Sequence, residues 1–154
     1  MKRSTSALLL AALAVWGCHT SRGGRASADG ILVTHAVIPA SPTPQEASAF
    51  LVIENLGDGP VTFTGAQTPD ADSVLLHQLV GGLMQPSTPL TIPVRGHINF
   101  EPGGYHLMLE GLKRPLAVGD TVTLRLRFGV SAEVAVQVPV LNYTDAVSEL
   151  PSGR

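Results

Sequence analysis

Thr121-Val122-Thr123-Leu124-Arg125-Leu126-Arg127-Phe128 alternates without a break, with Val122, Leu124, Leu126 and Phe128 on one side and Thr123, Arg125 and Arg127 on the other. Successive side chains of a strand point to opposite faces, so this octapeptide reads as a half-buried strand with one apolar and one solvated face. Val134, Val136, Val138 and Val140 repeat the device, and the two segments read as strands of an antiparallel sheet. Toward the N-terminus the texture is of short apolar runs, and no stretch holds a helical period over three turns. Strands are expected over 31–37, 49–55, 61–66, 73–79, 90–94, 98–101, 105–110, 121–128 and 133–140. Gly57-Asp58-Gly59-Pro60, Gly81-Gly82, Arg95-Gly96 and Pro102-Gly103-Gly104 fall between them as turns. Eight to nine short strands with frequent turns predict an all-β protein, an antiparallel β-sandwich of cupredoxin-like or immunoglobulin-like type.

The ends of the chain read differently. Lys2 and Arg3 precede an apolar run from Ala7 to Trp16, too short to span a bilayer, which ends Leu13-Ala14-Val15-Trp16-Gly17-Cys18. Residues 1–18 are therefore expected to be a lipoprotein-type signal peptide, with Cys18 lipidated and anchoring the chain to a bacterial membrane. That places the protein in the periplasm or cell envelope. Residues 19–30 are small and polar and read as a flexible tether, 31–143 as the folded domain, and 144–154 as a polar, frayed tail. At 154 residues the chain suits one domain with a proper core. Cys18 is its only cysteine, so no disulfide can form within the chain and stability must come from that core. Without Lys2 and Arg3, eight Lys plus Arg face twelve Asp plus Glu, for a net charge of −4 with no basic run. Nucleic acid, whose binding depends on clustered Lys and Arg, is not an expected partner.

Beyond the leader only Met84 and Met108 remain as methionines, each near a histidine in the pattern His77-x6-Met84-x21-His106-x-Met108. A thioether is a soft neutral donor and, with imidazole, suits copper(I) far better than zinc, magnesium or calcium. On a strand His106 and Met108 share one face while Leu107 and Leu109 take the other, and the Gly81-Gly82 turn can fold Met84 back toward His77. Taken singly, a strand methionine is usually core filler and a strand histidine a surface or satisfied core residue. It is the company every such methionine keeps that points to metal. Zinc favours cysteine, histidine and carboxylate. A blue-copper centre needs a thiolate, and Cys18 is committed to the leader. Asp70 and Asp72 are too sparse for a calcium loop. His97 reads as an exposed turn residue, His35 as a mid-strand residue outside the site, and His19 as part of the tether. No Gly-x-Ser-x-Gly elbow, His-Glu-x-x-His pair or glycine-rich phosphate loop is present, so an enzyme is not expected.

The stretch Pro102-Gly103-Gly104-Tyr105-His106-Leu107-Met108-Leu109 resembles the periplasmic copper chaperone family written PCu(A)C. So do Met84-Gln85-Pro86, Leu90-Thr91-Ile92-Pro93, Gly111-Leu112-Lys113-Arg114-Pro115-Leu116 and, earlier, Ala49-Phe50-Leu51-Val52-Ile53-Glu54-Asn55. The resemblance covers 31–141. It implies a cupredoxin-like sandwich that binds one copper(I) per chain through His77, Met84, His106 and Met108. It also implies a role in carrying copper to an acceptor protein, notably in assembly of the binuclear copper site of cytochrome c oxidase. A monomer is expected. Two departures stand out. Only six residues separate His77 from Met84, fewer than is usual in the family, whereas the twenty-one from Met84 to His106 keep the family spacing. The tail also lacks a His- and Met-rich extension, so a single site is expected. Copper sequestration for tolerance, or a lipid-anchored interaction module in which these residues are incidental, are the rival readings.

Overall fold

The computed structural model describes residues 22–41, 43–87 and 89–151. The leader, Cys18 and His19 lie outside the described residues. Eleven strands and one helix follow in chain order: β1 (Gly24–Ala28), β2 (Ile31–Pro39), β3 (Glu46–Asn55), β4 (Val61–Gln67), β5 (Ala71–Val80), β6 (Leu83–Pro86), β7 (Leu90–Ile92), β8 (His97–Phe100), β9 (Tyr105–Leu112), β10 (Thr121–Phe128), β11 (Ala132–Leu141) and α1 (Tyr143–Glu149). The expected all-β sandwich is present. One layer runs β6-β5-β9-β8-β3-β2 with β1 added beside β2, and the other runs β11-β10-β4-β7. They join where β11 runs parallel to β2 through Val140 opposite Ile38 and Leu141 opposite Pro39, so the sandwich is not wholly antiparallel.

The alternating segments do what their pattern requires. Val122, Leu124, Leu126 and Phe128 of β10 and Val134, Val136, Val138 and Val140 of β11 are all buried, while Arg125 and Arg127 face solvent. Opposite them Val33, Leu51, Ile53, Leu107 and Leu109 close the core from the other layer. Phe63 meets Phe100 and Phe128 edge-on, with ring centroids 5.6 Å apart in each pair, a favoured geometry for the aromatic quadrupole. Each fully buried side chain of this size contributes about 1.5–3 kcal/mol. Asn55 is the core's polar pin. Its amide nitrogen donates to the carbonyls of Gly59, Ile92 and Pro93, and its oxygen accepts from Gly57 N–H.

Three segments differ from expectation. Residues 24–28, expected as tether, form β1. Asp29 and Gly30, at φ 50° and 75°, make the left-handed two-residue turn that pairs Ala28 with Ile31. Gly24 is needed there because a Cβ would lie 2.0 Å from the carbonyl oxygen of Gln137. The short β6 was not expected. It exists because Gly81 and Gly82, at φ 59° and 81°, turn β5 straight back on itself. Residues 144–149, expected to fray, belong to α1, which begins at Tyr143. Asn142 caps it by accepting from Asp145 N–H at 2.9 Å, and Ala146, one turn before Leu150, packs against Val37 and Phe50.

β6 ends its layer. Ser87 N–H donates to Leu76 C=O, and inward and outward backbone groups alternate from there. The outward groups of β6 therefore belong to Met84 and Pro86, and Pro86 has no N–H to offer.

Candidate metal centre

β5 and β9 lie side by side with His77 opposite His106 and Leu75 opposite Met108. Leu107 and Leu109 point into the core, so His106, Met108 and His77 occupy the outer face of this layer. The β5–β6 hairpin places Met84 opposite Leu79, two residues from His77 and on the same face. The short interval between His77 and Met84 is thus taken up by a two-residue turn.

His106, although on the outer face, is only 4% exposed. Its Nδ1 donates to the carbonyl oxygen of Gly104 at 3.2 Å, since a carbonyl can only accept. That leaves the lone pair on Nε2, which is buried and has no hydrogen-bond partner among the described residues. Nδ1 of His77 is buried and unpartnered in the same way. The two rings stand perpendicular, at 88°, with centroids 5.8 Å apart. Two imidazoles whose nitrogens each sit ~2.0 Å from one shared ion have centroids no more than roughly 6 Å apart, so the spacing fits a bridging metal. An edge-to-face ring pair would show the same distance. The orphaned nitrogens set this pair apart from an ordinary ring contact: a buried polar atom without a partner costs about 1–3 kcal/mol, a cost that a metal ion taking both lone pairs would remove.

A cleft of ≈ 190 Å³ opens beside them, lined by Ser48, Phe50, Met84, Pro102, Gly103 and His106. Met84 is 57% exposed at its mouth, and the Phe50 ring lies 6.4 Å from the ring of His106. Met108 shares the face but does not line the cleft; its register neighbours are Leu75 and Ser48. Among the described residues no three His, Cys, Asp or Glu side chains gather into a metal-binding group, so the donors at hand are imidazole and thioether. That set is soft and neutral. Ser48 and Phe50 were not singled out in the sequence. The signal was the parity of β3, in which Ala47, Ala49 and Leu51 are the buried partners of the opposite face.

The remaining histidines lie elsewhere. His35 sits in a bulge of β2 at φ 53°, and its Nδ1 donates to Glu149 C=O at 2.6 Å. His97, expected in a turn, is the exposed first residue of β8, opposite Glu54. No Asp, Glu, Lys or Arg occurs from Ser73 to Val94, and none lines the cleft. Charged side chains pair away from it. Arg114 donates to Asp120 at 2.6 Å and Ala117 N–H at 2.8 Å. The Arg114 hydrogen bond first, then that of Ala117, holds the Asp120 carboxyl below its usual range, and Asp120 raises Arg114 in return.

Comparison with known proteins agrees with this frame. Residues 31–140 match the family model for LpqE-like lipoproteins. A protein of Leifsonia xyli subsp. xyli named as a lipoprotein, Lxx21020, is 33% identical over 124 residues, covering 77% of this chain and 74% of that one. The solution structure of CuI-DR1885 from Deinococcus radiodurans is 34% identical, with a TM-score of 0.59, over 70% of this chain and 76% of that one. The copper-bound PCuAC domain from PmoF2 shares the fold at 21% identity, with a TM-score of 0.66, over 77% of this chain and 97% of that one. With its central 110 residues matched by the family model and a relative at one-third identity, the chain belongs to the LpqE-like family and is built on the PCuAC fold.

Proposed function

We propose that this chain is an extracytoplasmic copper(I) carrier, holding one copper(I) through His77, Met84, His106 and Met108 and passing it to an acceptor protein. The observation that carries the reading is the pair of buried, unpartnered ring nitrogens on adjacent strands, Nδ1 of His77 and Nε2 of His106, with Met84 in the cleft beside them. The copper-bound PmoF2 domain and CuI-DR1885 support it as relatives in fold and sequence.

Four neutral donors leave the single positive charge of copper(I) uncompensated, which suits a cargo that must be released. The buried His106 is the fixed post of the set, and the exposed Met84 is the donor an incoming ligand reaches first. Transfer then proceeds by replacing one donor at a time, with no change of oxidation state and no catalysis by this chain. The chain is anchored in the cell envelope through lipidated Cys18, and its acceptor lies in assembly of the binuclear copper site of cytochrome c oxidase.

Copper(I) titration followed by X-ray absorption at the copper edge tests the site. One equivalent should bind with two nitrogen and two sulfur ligands. A spectrum without sulfur, or failure to compete with a copper(I) chelator, overturns the reading. Loss of oxidase activity in a deletion strain tests the acceptor; normal activity with heightened copper sensitivity would replace delivery by sequestration.

A further inference from the structure

We infer that the C-terminal helix α1 is a positioning element of the copper site, acting through Phe50. The inference rests on the copper reading for its purpose, and on contacts between named side chains for its substance. Phe50 belongs to two groups at once. It forms a small buried cluster with Val37 and Ala146, against which Leu141 and Leu150 pack. It also lines the cleft with Met84 and lies 6.4 Å from the His106 ring, inclined at 57°. The Phe50 side chain thus touches both the helix, through Ala146, and the ring of His106.

His106 needs such a wall. Its ring hydrogen bond among the described residues, Nδ1–H to Gly104 C=O, is 3.2 Å, at the long end of the range for N–H donors, and one such bond does not by itself fix the plane of the ring. The ring of His77, 5.8 Å away, and that of Phe50, 6.4 Å away, are its aromatic neighbours. The groups that orient a metal-binding imidazole set its affinity as surely as the imidazole itself.

The helix is held in place by more than its apolar face. His35 Nδ1–H donates to Glu149 C=O at 2.6 Å, and the bulge at φ 53° is what aims His35 there. The Glu149 carboxylate accepts the backbone N–H groups of Arg22 and Gly23 at 3.0 and 3.2 Å, and the Arg22 guanidinium reaches Asp145 at 3.1 Å. Both latched segments, 22–23 and 143–149, lie outside the residues that match the family model. The site is therefore set in part by residues the family match does not contain.

The test uses the full chain with substitutions that undock the helix, Ala146→Glu and the milder Leu150→Ala, beside Phe50→Ala and the ring-preserving Phe50→Tyr. Thermal melting establishes that each variant is folded. Imidazole nitrogen NMR of the metal-free protein, at a pH above the histidine range, then reads the His106 tautomer directly. In the wild type a single Nδ1–H form is expected. In Ala146→Glu, Leu150→Ala and Phe50→Ala that form should give way to a tautomer mixture, with copper(I) affinity lower by roughly tenfold, the low end for loss of an outer-shell support. Phe50→Tyr should keep both properties of the wild type. An unchanged His106 spectrum in the folded helix variants overturns the inference. If Ala146→Glu does not fold, Leu150→Ala decides. If the wild type itself binds no copper(I), the copper reading fails, and the tautomer comparison still decides whether α1 orients His106.

Discussion

The β10–β11 and β5–β6 hairpins are built from similar residues and serve opposite ends. In the first every second residue is buried, and the exposed positions carry Arg125, Arg127 and Glu133, with Arg125 and Glu133 paired at 3.0 Å across the strands. In the second the residues about the turn are apolar and exposed: Leu83 is 67% exposed, Met84 57% and Val80 47%, and no charge occurs from Ser73 to Val94. Burial makes the first hairpin a source of stability. The second reaches the core only through Ala71, Val74 and Leu76 of β5, and its far end leaves Met84 accessible, as a site for a transferable ion requires.

If that division holds, Leu124→Ala should lower the stability to unfolding by about 2–5 kcal/mol, whereas Leu83→Ala should stay within about 0.5 kcal/mol. Denaturant unfolding of the two variants measures both, and equal losses would break the contrast. Met84→Leu preserves apolar volume but removes the sulfur. Its copper(I) dissociation constant should rise tenfold to a hundredfold, at about 1.4 kcal/mol per factor of ten, with the melting temperature unmoved. Chelator competition reads the first and calorimetry the second. Gly82→Ala meets no atom within 4 Å but must hold φ near 81°, which costs about 1–2 kcal/mol. The loss should fall on the β5–β6 pairing, seen as faster amide exchange at Leu83 and Gln85 than in the wild type. The smallest effect is expected at Asp120. Its depressed carboxyl contributes stability above the ordinary Asp value of about 3.9, and that contribution fades as pH falls through the lower folded value. Because Arg114 is exposed and Asp120 half-buried at the surface, Asp120→Asn should flatten only the acid limb of the stability profile, and less so in high salt.

These contrasts also explain what could be read in advance. The strand 121–128 was legible to the residue because polar and apolar side chains alternate along it. β6 escaped notice because all four of its residues are exposed and no alternation marks them. β1 was hidden by small side chains, although Asp29-Gly30 before Ile31 was a hairpin signal in plain view. The shared face of His106 and Met108 follows from spacing on one strand. That His77 stands opposite His106 does not, since it depends on a register set by the core between segments twenty-nine positions apart. Phe50 lay inside an unbroken apolar run, where only its parity with Ser48, opposite to that of Ala47, Ala49 and Leu51, tells it from the inward side chains.

The outer edge of β6 gives the exposed hairpin one further property. Met84 is the last residue there with both backbone groups turned outward, and Pro86, next in that row, can accept but not donate. An approaching strand could make one bridge and no ladder. This exposed, apolar margin is therefore a poor template for strand pairing between copies of the chain.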